Sequence, residues 1–94
     1  MILTVKFIGA MRKISGETEL CIDSEDVKSL KSLIVKLGQR MPELKNVLSD
    51  QEINNQPSNA LILINGREVS VLNGLETKLV DGDEIVFVPV VHGG

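Results

Sequence analysis

The chain is expected to be an α+β two-layer domain, a mixed sheet packed against one main helix, and three observations predict it. One stretch in the first half carries a helical stripe of apolar residues. Several short segments alternate apolar and polar residues with period two, or are wholly apolar, as strands do. Asn-Gly and Asp-Gly pairs stand between those segments as turn signals. At 94 residues there is room for one domain, which at this size buries roughly 60–65% of its unfolded surface.

Met1–Ile8 alternates Leu3, Val5 and Phe7 with Thr4 and Lys6, the period of a strand with one buried face. Ile2 and Ile8 predict partial cover on the second face. Gly9 to Gly16 holds two glycines and two basic residues without sustained alternation, and reads as a connection. Thr18–Ile22 alternates again and predicts a second strand, closing a hairpin with a long basic loop.

Leu30, Leu33, Ile34, Leu37 and Met41 then fall at i, i+3, i+4, i+7 and i+11, one face of an amphipathic helix. Lys28, Lys31, Lys36 and Arg40 take the other face. Ser24 or Asp26 is expected to cap its start. Pro42 stops it soon after Arg40, because proline disfavours helical geometry in the preceding residue. Gly38 within the stripe costs up to ~1 kcal/mol of propensity.

Glu43–Leu48 predicts one further short turn, and the polar run Ser49 to Asn59 a surface loop. Ala60–Ile64 is wholly apolar, as expected of a strand covered on both faces. Asn65-Gly66 is a strong hairpin signal, since both residues tolerate positive φ. Arg67–Val71 is the expected returning strand, at an edge of the sheet. Asn73-Gly74 and Asp81-Gly82 mark further turns around a short irregular piece anchored by Leu75 and Leu79. Glu84–Pro89 closes the fold, with Ile85 and Phe87 on one side and Val86 and Val88 on the other. Pro89 lacks the N–H a ladder needs, so regular pairing weakens there. The order hairpin, helix, hairpin, final strand makes β-grasp the natural topology.

Composition excludes several functions. With one His and one Cys, no zinc cluster or disulfide framework can be built within the chain. A net charge of −3 and two aromatic residues offer neither the basic footprint nor the stacking platform of a nucleic-acid binder. The longest apolar runs, Ala60–Ile64 and Ile85–Val88, fall far short of the ~20 residues that span a bilayer. Met1–Thr4 shows no basic region leading into an apolar one, so a secretory leader is not expected and a cytoplasmic home is.

Candidate chemistry concentrates at Pro89-Val90-Val91-His92-Gly93-Gly94. Glycine usage averages ~7%, so two random final glycines would occur in roughly half a percent of chains. A tail that threads a narrow active site must present its carboxylate with no Cβ beside the reacting carbon, which glycine alone provides. Val90 to Gly94 can extend ~17 Å, at ~3.4 Å per residue. The expected division is a body over 1–89 and a flexible Gly-Gly tail over 90–94, with no metal or cofactor held by the chain itself.

Other features have simpler readings. Asp81-Gly82-Asp83-Glu84 is expected to be a turn before a strand, since the EF-hand spacing of a calcium loop is absent. Cys21 is expected to be a small buried hydrophobe. A Cys21–His92 nucleophile pair lacks a third group to orient it. Arg12, Lys13 and the helix lysines form a solvated face, partly offset by Asp23, Glu25 and Asp26. Val86, Val88 and Ala60–Ile64 present apolar side chains to the sheet face that one helix cannot cover, which points to partner contact.

The chain resembles the ThiS/MoaD family of ubiquitin-like sulfur carriers. The matching residues are Phe7 in the opening strand, the loop ending at Gly16, Val27 and Leu30 at the helix start, and Asn65-Gly66. They continue with Leu79, Asp81-Gly82-Asp83-Glu84-Ile85, Phe87, Pro89, Val91 and Gly93-Gly94. The resemblance implies a ubiquitin-like β-grasp fold and a carrier, not an enzyme. It implies that a ubiquitin-activating-like adenylating enzyme (MoeB/ThiF type) uses ATP to join AMP to Gly94, after which sulfur replaces AMP as a thiocarboxylate. Gly93 would be the flexible neighbour, and Val86, Val88, Pro89, Val90, Val91 and His92 would contact partners. Val88-Pro89-Val90-Val91 is similar to the corresponding stretch of MoaD, the small subunit of molybdopterin synthase, whose large subunit (MoaE type) would be a partner. His92-Gly93-Gly94 is similar to the ending of the ubiquitin-related modifier. That relative and the small archaeal modifiers imply the alternative, tRNA thiolation or attachment to target lysines. The Ser49–Asn59 loop departs from compact ThiS of the thiamin pathway.

Overall fold

The computed structural model describes residues 1–44 and 60–89. Its strands are β1 (Ile2–Phe7), β2 (Glu19–Asp23), β3 (Ala60–Ile64), β4 (Arg67–Glu68) and β5 (Glu84–Pro89). They form one five-stranded sheet in the order β2-β1-β5-β3-β4. β1 and β5 run parallel at its centre, and the remaining pairs are antiparallel. The sheet is therefore mixed, as expected. Helix α2 (Leu30–Arg40) belongs to the same hydrophobic core, burying Leu30, Leu33 and Leu37 with the inward residues of the strands.

Period two sets the inner face. Leu3, Val5 and Phe7 of β1 stand beside Ile85 and Phe87 of β5, and all five are almost completely buried. The two phenylalanine rings are stacked, with centroids 5.6 Å apart. Ile62 and Ile64 of β3 complete this layer through Phe87 and Ile85. Leu20 and Ile22 extend it on the β2 side.

Several expectations are corrected. The basic loop of the first hairpin contains a short helix, α1 (Met11–Ser15). Five residues cannot hold a helix by propensity, because nucleation is unfavourable; burial of Met11 in the core holds this one. The second strand is shifted by one residue from Thr18–Ile22. Cys21 is exposed, because the alternation that buries Leu20 and Ile22 turns the residue between them outward.

α2 starts later than expected. Its N-cap is Ser29, not Ser24 or Asp26, and Ser29 forms a reciprocal capping box with Ser32. The preceding backbone is engaged elsewhere: Leu30 N–H donates to the Thr77 carbonyl, and Leu79 N–H donates to that of Lys28. Val27, expected at the helix start, is buried ahead of it, and Lys28 lies off its face. Residues 42–44 are helical, with Leu44 fully buried. The rest of the Glu43–Leu48 turn and the Ser49–Asn59 loop lie outside the described residues.

The returning strand β4 pairs over only Arg67 and Glu68. Beyond it Val69–Val71 forms a 3-10 turn that buries Val69. A second such turn, Gly74–Glu76, occupies the piece expected to be irregular.

Asp81-Gly82-Asp83-Glu84 acts as a clip between chain segments. Ile2 N–H donates to Asp81 Oδ1 at 2.6 Å, and Gly82 N–H donates to the Ile2 carbonyl. Buried Asp83 accepts from Asn65 Nδ2 at 2.8 Å and from Val80 N–H at 2.9 Å. Asn65 sits at φ +51° in the hairpin turn, and its side-chain oxygen accepts from Glu84 N–H. Asp83→Ala leaves these donors unpaired, an expected loss of ~1–3 kcal/mol. At roughly 4–8 °C per kcal/mol for a domain of this size, thermal melting followed by circular dichroism should show a drop of about 10 °C. A melting point that does not move would contradict the clip.

Candidate functional site

The candidate site grows out of β5, which carries an inner and an outer row of side chains. Ile85 and Phe87 point into the core, so Val86 and Val88 must point to the opposite face. Both are half-buried. The β3–β5 register sets Leu61 beside Val88 and Leu63 beside Val86, also half-buried. These four side chains form one apolar strip on the outer face.

The strip has a polar border at one end. Lys6, opposite Val86 in the β1–β5 register, forms an ion pair with Glu84 at 3.1 Å. Both side chains are half-exposed, so the pair contributes under about 1 kcal/mol and is better read as a boundary to the apolar area. At the other end Ile8 N–H donates to the Phe87 carbonyl, which carries the parallel pairing one residue past Phe7 and brings Ile8 alongside Val88. Ile8 is 39% exposed. Ile8, for which partial cover on the second face is the expectation, stands on that face and is exposed among the described residues.

Pro89 is the last residue of β5 and is half-buried. The turn after β1 packs against it: a Cβ built on Gly9 would lie 3.2 Å from Pro89 Cγ. The structure thus brings Val86, Val88 and Pro89 together along one strand that leads toward the final residues. Val90, Val91, His92, Gly93 and Gly94 lie outside the described residues. Among the described residues, no group of three or more His, Cys, Asp or Glu side chains is placed to hold a metal ion, and no helix is long and apolar enough to cross a membrane.

A mixed five-stranded sheet with parallel central strands and a helix packed in its core defines a ubiquitin-like β-grasp protein. The chain belongs to the ThiS family, whose model matches residues 5–94. A protein of Archaeoglobus fulgidus named as a candidate sulfur carrier is 34% identical over 80 residues, covering 84% of this chain and 85% of the relative. The solution structure of small archaeal modifier protein 1 from Methanosarcina acetivorans superposes with a TM-score of 0.79. It is 31% identical, with 99% of this chain and 96% of that one covered. A chain from the complex of subunits 1 and 2 of the molybdopterin-converting factor of Helicobacter pylori is 28% identical, with a TM-score of 0.63 and full coverage of both chains. Sulfur carriers and ubiquitin-like modifiers are thus the proteins this chain is related to.

Proposed function

We propose that the chain is a cytoplasmic sulfur carrier that reacts through the carboxylate of Gly94 and serves molybdopterin biosynthesis. The observation that carries the proposal is a family match continuing through Gly93-Gly94 on a chain whose β5 leads into that segment. The body over 1–89 docks on partners, and residues 90–94 enter their active sites. Val86 and Val88 contribute the docking strip, while Pro89, Val90, Val91 and His92 line the way to the reacting group.

The chemistry uses ATP held by a MoeB/ThiF-type activating enzyme. A carboxylate oxygen of Gly94 attacks the α-phosphorus, pyrophosphate leaves, and an acyl-adenylate forms. Sulfide-level sulfur then attacks the acyl carbon and AMP leaves, giving a thiocarboxylate. Gly93 and Gly94 carry no Cβ, which lets the backbone run close to the walls of such a site. In a synthase complex with a MoaE-type subunit, the thiocarboxylate sulfur bonds to the pterin precursor, and water then cleaves the acyl C–S bond and returns Gly94 to a carboxylate. The likeness to a chain of the two-subunit converting-factor complex supports that partner.

A second reading rests on the small archaeal modifier match. Here the same acyl-adenylate leads to an amide with a target lysine Nζ, or the thiocarboxylate supplies sulfur for tRNA thiolation. Incubation with ATP, an activating enzyme and a sulfur donor is expected to shift the intact mass by the exchange of one oxygen for one sulfur. No shift in the presence of an enzyme active on a related carrier would overturn the carrier reading. Branched tryptic peptides from cell extracts in which residues 79–94, the fragment that follows Lys78, are joined to a lysine, without synthase activity when a large subunit is added, would favour the modifier.

A further inference from the structure

We propose that Gly9 is a positioning residue that sets the direction in which the chain leaves β5 toward Gly94. The inference rests on the reading of Gly94 as the reacting group. Because β1 and β5 are parallel, the turn after β1 and the end of β5 lie at the same edge of the sheet. Gly9 occupies that turn at φ +56°, and a Cβ there would lie 3.2 Å from Pro89 Cγ and 3.7 Å from its Cδ. The first distance is shorter than a comfortable carbon–carbon contact of ~3.5–4.0 Å.

Neither side of this contact yields easily. The turn is held by Met11 N–H on the Ile8 carbonyl at 3.1 Å and Arg12 N–H on the Gly9 carbonyl at 3.0 Å. Arg12 Nε also donates to the Phe7 carbonyl at 3.2 Å. Buried Met11 anchors α1 behind the turn. Pro89 has a ring that fixes its φ near −65°, and the β3 register sets Ala60 opposite it. A side chain at position 9 therefore presses on the Pro89 ring, which must give by a few tenths of an ångström at the point where the chain leaves β5. With the body docked through the sheet face, a reacting carbon misplaced by ~1 Å can lose ~100-fold in rate.

The test compares Gly9→Asn with Gly16→Asn. Both glycines have positive φ, which asparagine tolerates better than most residues, but a Cβ at Gly16 would meet nothing within 4 Å. Only the first substitution presses on Pro89. The amide resonances of Val90 and Val91 are expected to move in Gly9→Asn and to stay in place in Gly16→Asn. With the activating enzyme, kcat for adenylation is expected to fall about ten-fold in Gly9→Asn with KM within about two-fold, because the loss lies in alignment and not in docking. Gly9→Ala against Gly16→Ala serves as the second pair should an asparagine variant fail to fold. In the double variant Gly9→Asn/Pro89→Ala the ring is gone, and kcat should be no lower than in Pro89→Ala alone.

Unmoved Val90 and Val91 amides, or equal movement in both variants of a pair, would overturn the role of Gly9. So would a kcat that falls equally in both. Wild-type protein that is not adenylated at all would overturn the functional reading instead, while the resonances still decide whether Gly9 steers the chain.

Discussion

Deletion of Gly94 is expected to abolish thiocarboxylate formation while leaving the melting temperature of the protein unchanged. The deletion leaves a carboxylate, now on Gly93, so the chemical group survives and only its position changes. One residue of extended chain spans ~3.3–3.6 Å, and reacting groups must meet to within a fraction of that distance. Misplacement by ~1 Å can already cost ~100-fold, so a shift of one residue should bring transfer below detection. Stability should not follow, because the buried core among the described residues runs from Leu3 to Phe87 and is complete without position 94. Intact mass spectrometry after incubation with the activating enzyme, paired with a thermal melt, checks both halves. Full thiocarboxylation of the shortened chain would move the reacting group elsewhere. A large fall in melting temperature would show Gly94 to be structural.

Phe87→Ala is expected to do the reverse, weakening the body. Phe87 and Phe7 are both fully buried and stacked at 5.6 Å on the two central strands. Truncating a buried phenylalanine costs about 3–5 kcal/mol through lost burial and the cavity left behind. Domains of this length are stable by ~5–14 kcal/mol, so the loss removes a large share of the total. At roughly 4–8 °C per kcal/mol, a melting temperature lower by at least about 12 °C is expected. A loss under about 1 kcal/mol would mean that the site collapses around the smaller side chain. Transfer should fall in this variant with the fraction of folded body, whereas the Gly94 deletion fails while folded. Circular dichroism separates the two.

The legible parts of the sequence were those in which neighbouring residues decide the outcome. Leu3, Val5 and Phe7 alternate, and the strand follows. Asn65-Gly66 tolerates positive φ, and the hairpin turns there with Asn65 at +51°. The stripe from Leu30 to Leu37 announces α2, and Val86 and Val88 announce the outer row of β5. The candidate site was legible as a row of residue types along one strand. Its neighbours across the sheet were not, because the pairing of β5 with β1 and β3 joins segments far apart in the chain.

The elements that differed from expectation share one cause. Ser24 and Asp26 are as good at capping as Ser29 by local chemistry alone. Ser29 caps α2 because Lys28 and Leu30 on either side of it are bonded to the segment from Thr77 to Leu79. α1 is too short to form by propensity and exists through burial of Met11. Asp83 could have been a surface carboxylate, and it is buried because Asn65 and Val80 bring donors to it. Local pattern by itself determined the strands, the main helix, the turn at Asn65-Gly66 and the glycine pair at the end. Only the tertiary structure decided where α2 starts, what α1 is for, and that Gly9 lies against Pro89. Periodicity records which face of an element is apolar, whereas close contact between distant segments depends on the packing of the whole core.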